Sequence, residues 1–226
     1  MKKSFKSFVI SGALFGAFII WTLLVKFFDV SAVGPLGSEV GFSAFNQNIH
    51  QAIGINKVWY DVSALLGLVA ILVVVVFAVV GVIQAIKRKS IKKVNSDIML
   101  LGSIYCLTLG IYMFFEYVII NFRPVLVDGA LEASYPSSHT LLALVIFGTG
   151  IIWLQRNNLK KWVKISIQTI ASIFAVLIVV GRILSGVHWM TDIIGSIILS
   201  ASIIMIYISL LTLASEVKAT APRIAP

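Results

Sequence analysis

The chain has 226 residues, 59% apolar and 12% charged, with a formal net charge of +9. A soluble domain carries about twice that charged fraction, and here the apolar residues come in blocks near twenty long rather than at amphipathic spacing, which excludes an ordinary soluble fold. The basic residues fall between the blocks without an aromatic–basic patch for stacking bases, so the expected partner is the bilayer and not nucleic acid.

A hydrocarbon core of about 30 Å takes about 20 helical residues. On that measure the sequence predicts six spans, at 8–28, 62–86, 98–121, 138–155, 164–183 and 189–214. The first follows Met1-Lys2-Lys3 and imitates a signal peptide. No strong small-x-small cleavage site precedes Lys26, so it is read as a retained helix. Segment 29–61 contains the breaker Gly34-Pro35-Leu36-Gly37. After it, Phe42, Phe45, Ile49 and Ile53 recur at helical spacing and predict a short helix lying on the membrane surface. Cys106, the single cysteine, lies in the third span and excludes an intrachain disulfide. Ser166 and Gln168 in the fifth span need neighbours to satisfy them. Residues 1–215 are expected to form one membrane domain, and 216–226 a disordered cytoplasmic tail.

Lysine and arginine set the expected orientation. Lys2, Lys3 and Lys6, then Lys87–Lys93, then Arg156–Lys164, then Lys218 and Arg223 all fall on one side of a six-span bundle. The other side holds only Lys26, Lys57, Arg123 and Arg182. The positive-inside rule places both termini in the cytoplasm of a bacterial-type cell membrane.

Ionisable groups within apolar spans are costly, so they are functional candidates by default. Glu116, Arg123, His139, Arg182, His188 and Asp192 all lie at or near span ends on the expected outer side. Single residues of these kinds are more often anchors or packed groups, but six at matched depth are hard to explain as anchors. Arginine forks match phosphate oxygens and stay charged. Pro136-Ser137-Ser138-His139 opens an apolar helix, whose free N–H groups can hold an anion; plain capping by the serines is the alternative. His188 and Asp192, four apart, share one helix face. A carboxylate on one imidazole nitrogen fixes the tautomer and leaves the other as nucleophile or base. His139 can protonate a leaving oxygen. Trp59, Tyr60, Tyr135 and Trp189 fit an interfacial aromatic belt, and His50 and Asp128 read as solvated loop residues.

Three segments resemble the motifs of the type 2 phosphatidic acid phosphatase superfamily: Glu116 with Arg123-Pro124, then Pro136-Ser137-Ser138-His139, then Gly181-Arg182 with His188 and Asp192. The resemblance implies an all-α integral membrane bundle of six transmembrane helices with a phosphatidic acid phosphatase/haloperoxidase-like core. It implies hydrolysis of a lipid phosphate or diphosphate (undecaprenyl diphosphate, phosphatidylglycerol phosphate or phosphatidic acid) without metal or other cofactor. His188 would carry a phosphohistidine, oriented by Asp192. His139 would protonate the leaving group, and Arg123, Arg182, Ser137 and Ser138 would hold the phosphate. The sequence departs from the family pattern at three positions: Ser138 stands for glycine, Gly181 for serine and Glu116 for a phosphate-contacting lysine. Glu116 is expected to pair with an arginine or to contact another substrate group. The alternative function is a low-activity or inactive phospholipid-binding protein of the same fold. A transporter would need ionisable groups at mid-depth, and none is found.

Overall fold

A computed structural model describes residues 3–220. The helices are α1 (Lys3–Phe27), α2 (Ser43–Ile53), α3 (Lys57–Lys87), α4 (Ser96–Tyr117), α5 (Ser138–Arg156), α6 (Lys161–Leu184) and α7 (Met190–Thr220). All but α2 are long and apolar enough to cross a membrane, and there is no strand among the described residues. The six predicted spans each match a helix to within a few residues. The helix α7 continues through Thr220, so 216–220 are helical where a disordered tail was expected, with 217–220 exposed; Met1, Lys2 and 221–226 (with Arg223) lie outside the described residues.

The packing follows from the absence of a hydrophobic drive between apolar helices in lipid. Contact there relies on small side chains and interhelical hydrogen bonds. Thus Leu65, Leu72, Val76, Ile86 and Ile170 face outward, while serines and threonines are buried along α7. The α1–α7 contact is reciprocal: Ser11 Oγ donates to Ser202 O (3.3 Å) and Ser202 Oγ donates to Ser11 O (3.1 Å). Near the chain ends Ser4 Oγ donates to the Glu216 carboxylate (2.6 Å). Between α7 and α5, Ser196 Oγ donates to Ser137 O (3.0 Å). The helices α3 and α6 flank α5 on its other side.

At the end of the bundle opposite the chain termini, three connections form a cap. In the first, α2 forms as expected, but much of its apolar face turns inward rather than to lipid. Phe42 stacks on Trp21 (5.3 Å between centroids), and Ile49 and Ile53 line a small hollow beside His188. Asn46, on the same helix, is buried and binds Thr191 and Gly41. In the second, α4 ends at Tyr117, short of the expected 121. From there the chain turns back in a hairpin held by Arg123 N to Glu132 O (3.0 Å) and Ser134 N to Asn121 O (2.9 Å). In the third, the 185–189 turn requires Gly186 (φ 68°), because a Cβ there would overlap the backbone of Gly54.

Tyr135, expected in an interfacial belt, is instead buried. Its hydroxyl meets Thr22 Oγ1 (2.7 Å), its ring stacks on Phe18 (6.2 Å), and Phe115 packs edge-on (5.8 Å). The Cε2–hydroxyl edge of the ring abuts Gly195 of α7, where a Cβ would fall 2.6 Å from both Cε2 and the hydroxyl oxygen. Gly195→Val is expected to cost about 1–3 kcal/mol, the usual range for overpacking, and to lower the apparent melting temperature in detergent. Adding Tyr135→Leu should recover part of that loss, so the double variant is less destabilised than the two single effects added. Strict additivity would show that the contact does not carry the strain.

Candidate active site

The cap brings together side chains from α4, α5, α6, α7 and the 118–137 connection. Arg182, on the last turn of α6, is fully buried. Its guanidinium carbon lies 5.2 Å from the centroid of the Tyr60 ring on α3, a cation–π contact. Its Nη2 donates to His188 Nε2 (3.3 Å), while Nε and Nη1 have no partner. Among the described residues no carboxylate pairs with it. Tyr60 thus holds an arginine rather than serving only as a belt residue.

His188 sits in the short turn between α6 and α7 and is buried. Burial first, then the Arg182 and Arg123 guanidinium groups and His139, hold its pKa well below the ordinary histidine range. The ring is therefore neutral near pH 7. On its other side the expected direct bond to Asp192 is not made: Nδ1 is 3.7 Å from Asp192 Oδ2, beyond hydrogen-bond range. Ser134 Oγ lies between them, 3.0 Å from Nδ1 and 2.5 Å from Oδ2. Asp192 Oδ2 also accepts from Trp189 N (2.9 Å). Trp189 is buried as well, donating from Nε1 to Phe122 O (2.8 Å), and is not in a belt. His50 is not simply solvated: its Nε2–H can donate to Gly186 O (3.0 Å), beside the His188 turn.

A small polar pocket is lined by Glu116, Arg123, Ser134, Ser138 and His188, among others. Arg123 pairs with Glu132 (3.2 Å). Among the described residues Glu116 forms no ion pair with an arginine, which corrects one expectation for it; the Tyr112 hydroxyl lies against its carboxylate. Ser137 is the N-cap residue of α5, yet its buried hydroxyl makes no cap bond and has no partner, so plain capping does not describe it. His139 lies one residue into α5 at the top of an apolar groove and contributes to the field on His188. The groove, about 540 Å³, runs between α3 and α4 with α5 as its floor. It continues towards the far end as a second section of about 570 Å³, sharing Val74, Tyr105 and Cys106. Gly181 has a local cause: a Cβ there would lie 2.9 Å from Ser63 Cβ on α3. Sequence reasoning did not single out Ser134; its role depends on a contact between segments 54 residues apart.

The depressed His188 pKa has a consequence for stability. Unfolded, the imidazole takes up a proton as pH falls through about 6.5; folded, it does so only at much lower pH. The unfolded state binds more protons in that interval, so stability is lost as pH falls below about 6.5 and is unaffected by this group above it. The apparent melting temperature of wild type should therefore fall more steeply between pH 7 and 5 than that of His188→Gln. Equal slopes would contradict a neutral buried ring.

The PAP2 superfamily model matches residues 97–215. Among solved structures, the crystal structure of the first transmembrane PAP2 type phosphatidylglycerolphosphate phosphatase from Bacillus subtilis is similar, with a TM-score of 0.61 and 17% identity over 95% of this chain and 98% of that one. No curated protein sequence matches. The family match covers more than half of the 226 residues and includes all three motif segments, and the chain belongs to the PAP2 superfamily.

Proposed function

We propose that this protein is a membrane phosphatase that hydrolyses a lipid phosphate or diphosphate at the outer face of the cell membrane, through a phosphohistidine on His188. The observation that carries the reading is the buried, carboxylate-free Arg182, with two unpartnered nitrogens beside a neutral imidazole. A buried cation is costly unless an anion joins it, and a tetrahedral phosphate matches the donors that converge here. The groove that reaches Ser138 and His139 supports an amphiphilic substrate, with its tail between α3 and α4 and its phosphate at the cap. The excess of basic residues at the opposite end supports an outward-facing site.

In this mechanism His188 Nε2 attacks phosphorus as the bond to the leaving oxygen breaks, and His139 gives that oxygen a proton. Water then attacks phosphorus, His139 takes up its proton, and the P–N bond breaks to release inorganic phosphate. Arg182 and Arg123 hold the equatorial oxygens as charge develops. The Ser137 and Ser138 hydroxyls and the α5 N-terminus add donors.

The test is phosphate release by purified protein from undecaprenyl diphosphate, phosphatidylglycerol phosphate and phosphatidic acid in detergent. Activity is expected without added metal and with chelator present, and His188→Ala should lose at least about 10³-fold, as expected for removal of a nucleophile. Activity equal to wild type in that variant would exclude the phosphohistidine route, and an inert wild type would favour a binding protein of the same fold.

Glu116 provides a separate test. Its carboxylate lines the pocket where the family pattern has a cation, so it opposes a second phosphate more than a first. Glu116→Lys is expected to raise kcat/KM for the diphosphate relative to the monoesters by about tenfold, since one altered charge contact is worth about 1–2 kcal/mol. Identical ratios in Glu116→Lys and Glu116→Gln would show that the side chain faces away from substrate.

A further inference from the structure

We infer that Ser134 is a positioning residue that couples Asp192 to His188 and, together with Arg182, fixes which imidazole nitrogen carries the proton. The inference rests on the reading of His188 as the nucleophile, and its geometry comes from three contacts. A guanidinium nitrogen can only donate, so the 3.3 Å contact from Arg182 Nη2 makes His188 Nε2 an acceptor. A neutral ring with an accepting Nε2 bears its proton on Nδ1. That N–H faces Ser134 Oγ at 3.0 Å, so the serine accepts it. The hydroxyl has one proton of its own, which goes to Asp192 Oδ2 at 2.5 Å, at the short end of the range for a hydroxyl on a carboxylate. The chain therefore runs His188 Nδ1–H to Ser134 Oγ–H to Asp192 Oδ2, in one direction only.

Reversing that direction is blocked at both ends. Nε2 faces a donor, and Oδ2 is also fed by the Trp189 N–H at 2.9 Å. Ser134 itself has little freedom: it is buried, its backbone N–H bonds to Asn121 O (2.9 Å), and the next residue is the sealed Tyr135. Without the hydroxyl, His188 and Asp192 stand 3.7 Å apart and share no hydrogen bond. The lone pair on Nε2, the one that would attack phosphorus, is then held by the Arg182 contact alone. Ser134 also carries the carboxylate's influence to the ring when it becomes a cationic phosphoimidazole.

The test compares wild type, Ser134→Ala, Ser134→Thr, Asp192→Ala and the Ser134→Ala/Asp192→Ala double variant on the fastest lipid of the panel above. Ser134→Ala is expected to lower kcat about 10- to 100-fold, the range seen when outer-shell partners of functional histidines are removed, with KM within about threefold; Ser134→Thr should keep most of the rate. Groups that act as one unit are not additive, so the double variant should be no more than about threefold slower than Asp192→Ala. A second readout needs no turnover. With only three histidines in the chain, ¹⁵N ring shifts of labelled protein should place the His188 proton on Nδ1 in wild type and shift only part of the population towards Nε2 in Ser134→Ala, where Arg182 still faces that nitrogen. If Ser134→Ala does not accumulate, Ser134→Cys weakens both bonds at similar volume and serves in its place. An unchanged tautomer, or additive losses in the double variant, would overturn the coupling. A wild type inert on the panel would instead remove the phosphatase reading and leave the tautomer result to judge Ser134.

Discussion

Arg182 is a charged group sealed at the end of an apolar bundle, stacked on Tyr60 and given no carboxylate. Most buried charges are neutralised by a partner, and a partner here would remove the reason for the site. The remaining contacts keep the guanidinium both fixed and unfulfilled. The close approach of α3 to α6 at Gly181 and Ser63 brings Tyr60 over the group, and a bulkier residue at 181 would push the two helices apart. The guanidinium in turn adds to the burial that keeps His188 neutral, so one residue both attracts an anion and helps hold the adjacent imidazole uncharged. Losing Arg182 would therefore disturb two properties that a list of contacts treats as separate.

Precision at such a site has to come from the loops that surround it, because the helices alone set only depth. The three cap segments brace one another through backbone groups. Asn56 N bonds to Ser185 O (3.1 Å), Trp189 Nε1 to Phe122 O, and Asn46 clamps Thr191 at the start of α7. The helix α2 therefore acts as a buttress for the His188 turn. Each brace uses a donor or acceptor that a turn or helix end would otherwise leave without a protein partner. Satisfying the backbone and positioning the site are the same set of bonds.

The spans were readable from block length alone, since bilayer thickness imposes it. The meeting of Arg123, His139, Arg182, His188 and Asp192 at one end followed from counting spans. Contacts that depend on register across segments were not readable. Ser134 looks like any loop serine until the 121–134 hairpin places it between His188 and Asp192. Tyr135 and Trp189 have the composition of belt residues, and it is the space at Gly195, the Thr22 hydroxyl and the carbonyl of Phe122 that turn them inward. The end of α4 at Tyr117 was missed because Val118–Asn121 is apolar enough to continue a span, while the hairpin pairing that ends the helix lies downstream.

The polar pocket and the apolar groove are not independent features. Tyr112 and Ser138 line both, from α4 and from the first turn of α5. A molecule that fills the groove is thereby brought to the pocket at a fixed point along its length, and a phosphate in the pocket holds any attached tail at the seam between α3 and α4. Binding energy from the tail can then be used to orient the reacting group, the usual route by which remote contacts lower a barrier rather than only KM. The groove is apolar and the pocket polar, so a free phosphate ester meets only half of the site. On the proposed function, a preference for an amphiphile would arise at the boundary between those two residues, where the bundle stops presenting hydrocarbon and begins presenting hydrogen-bond donors.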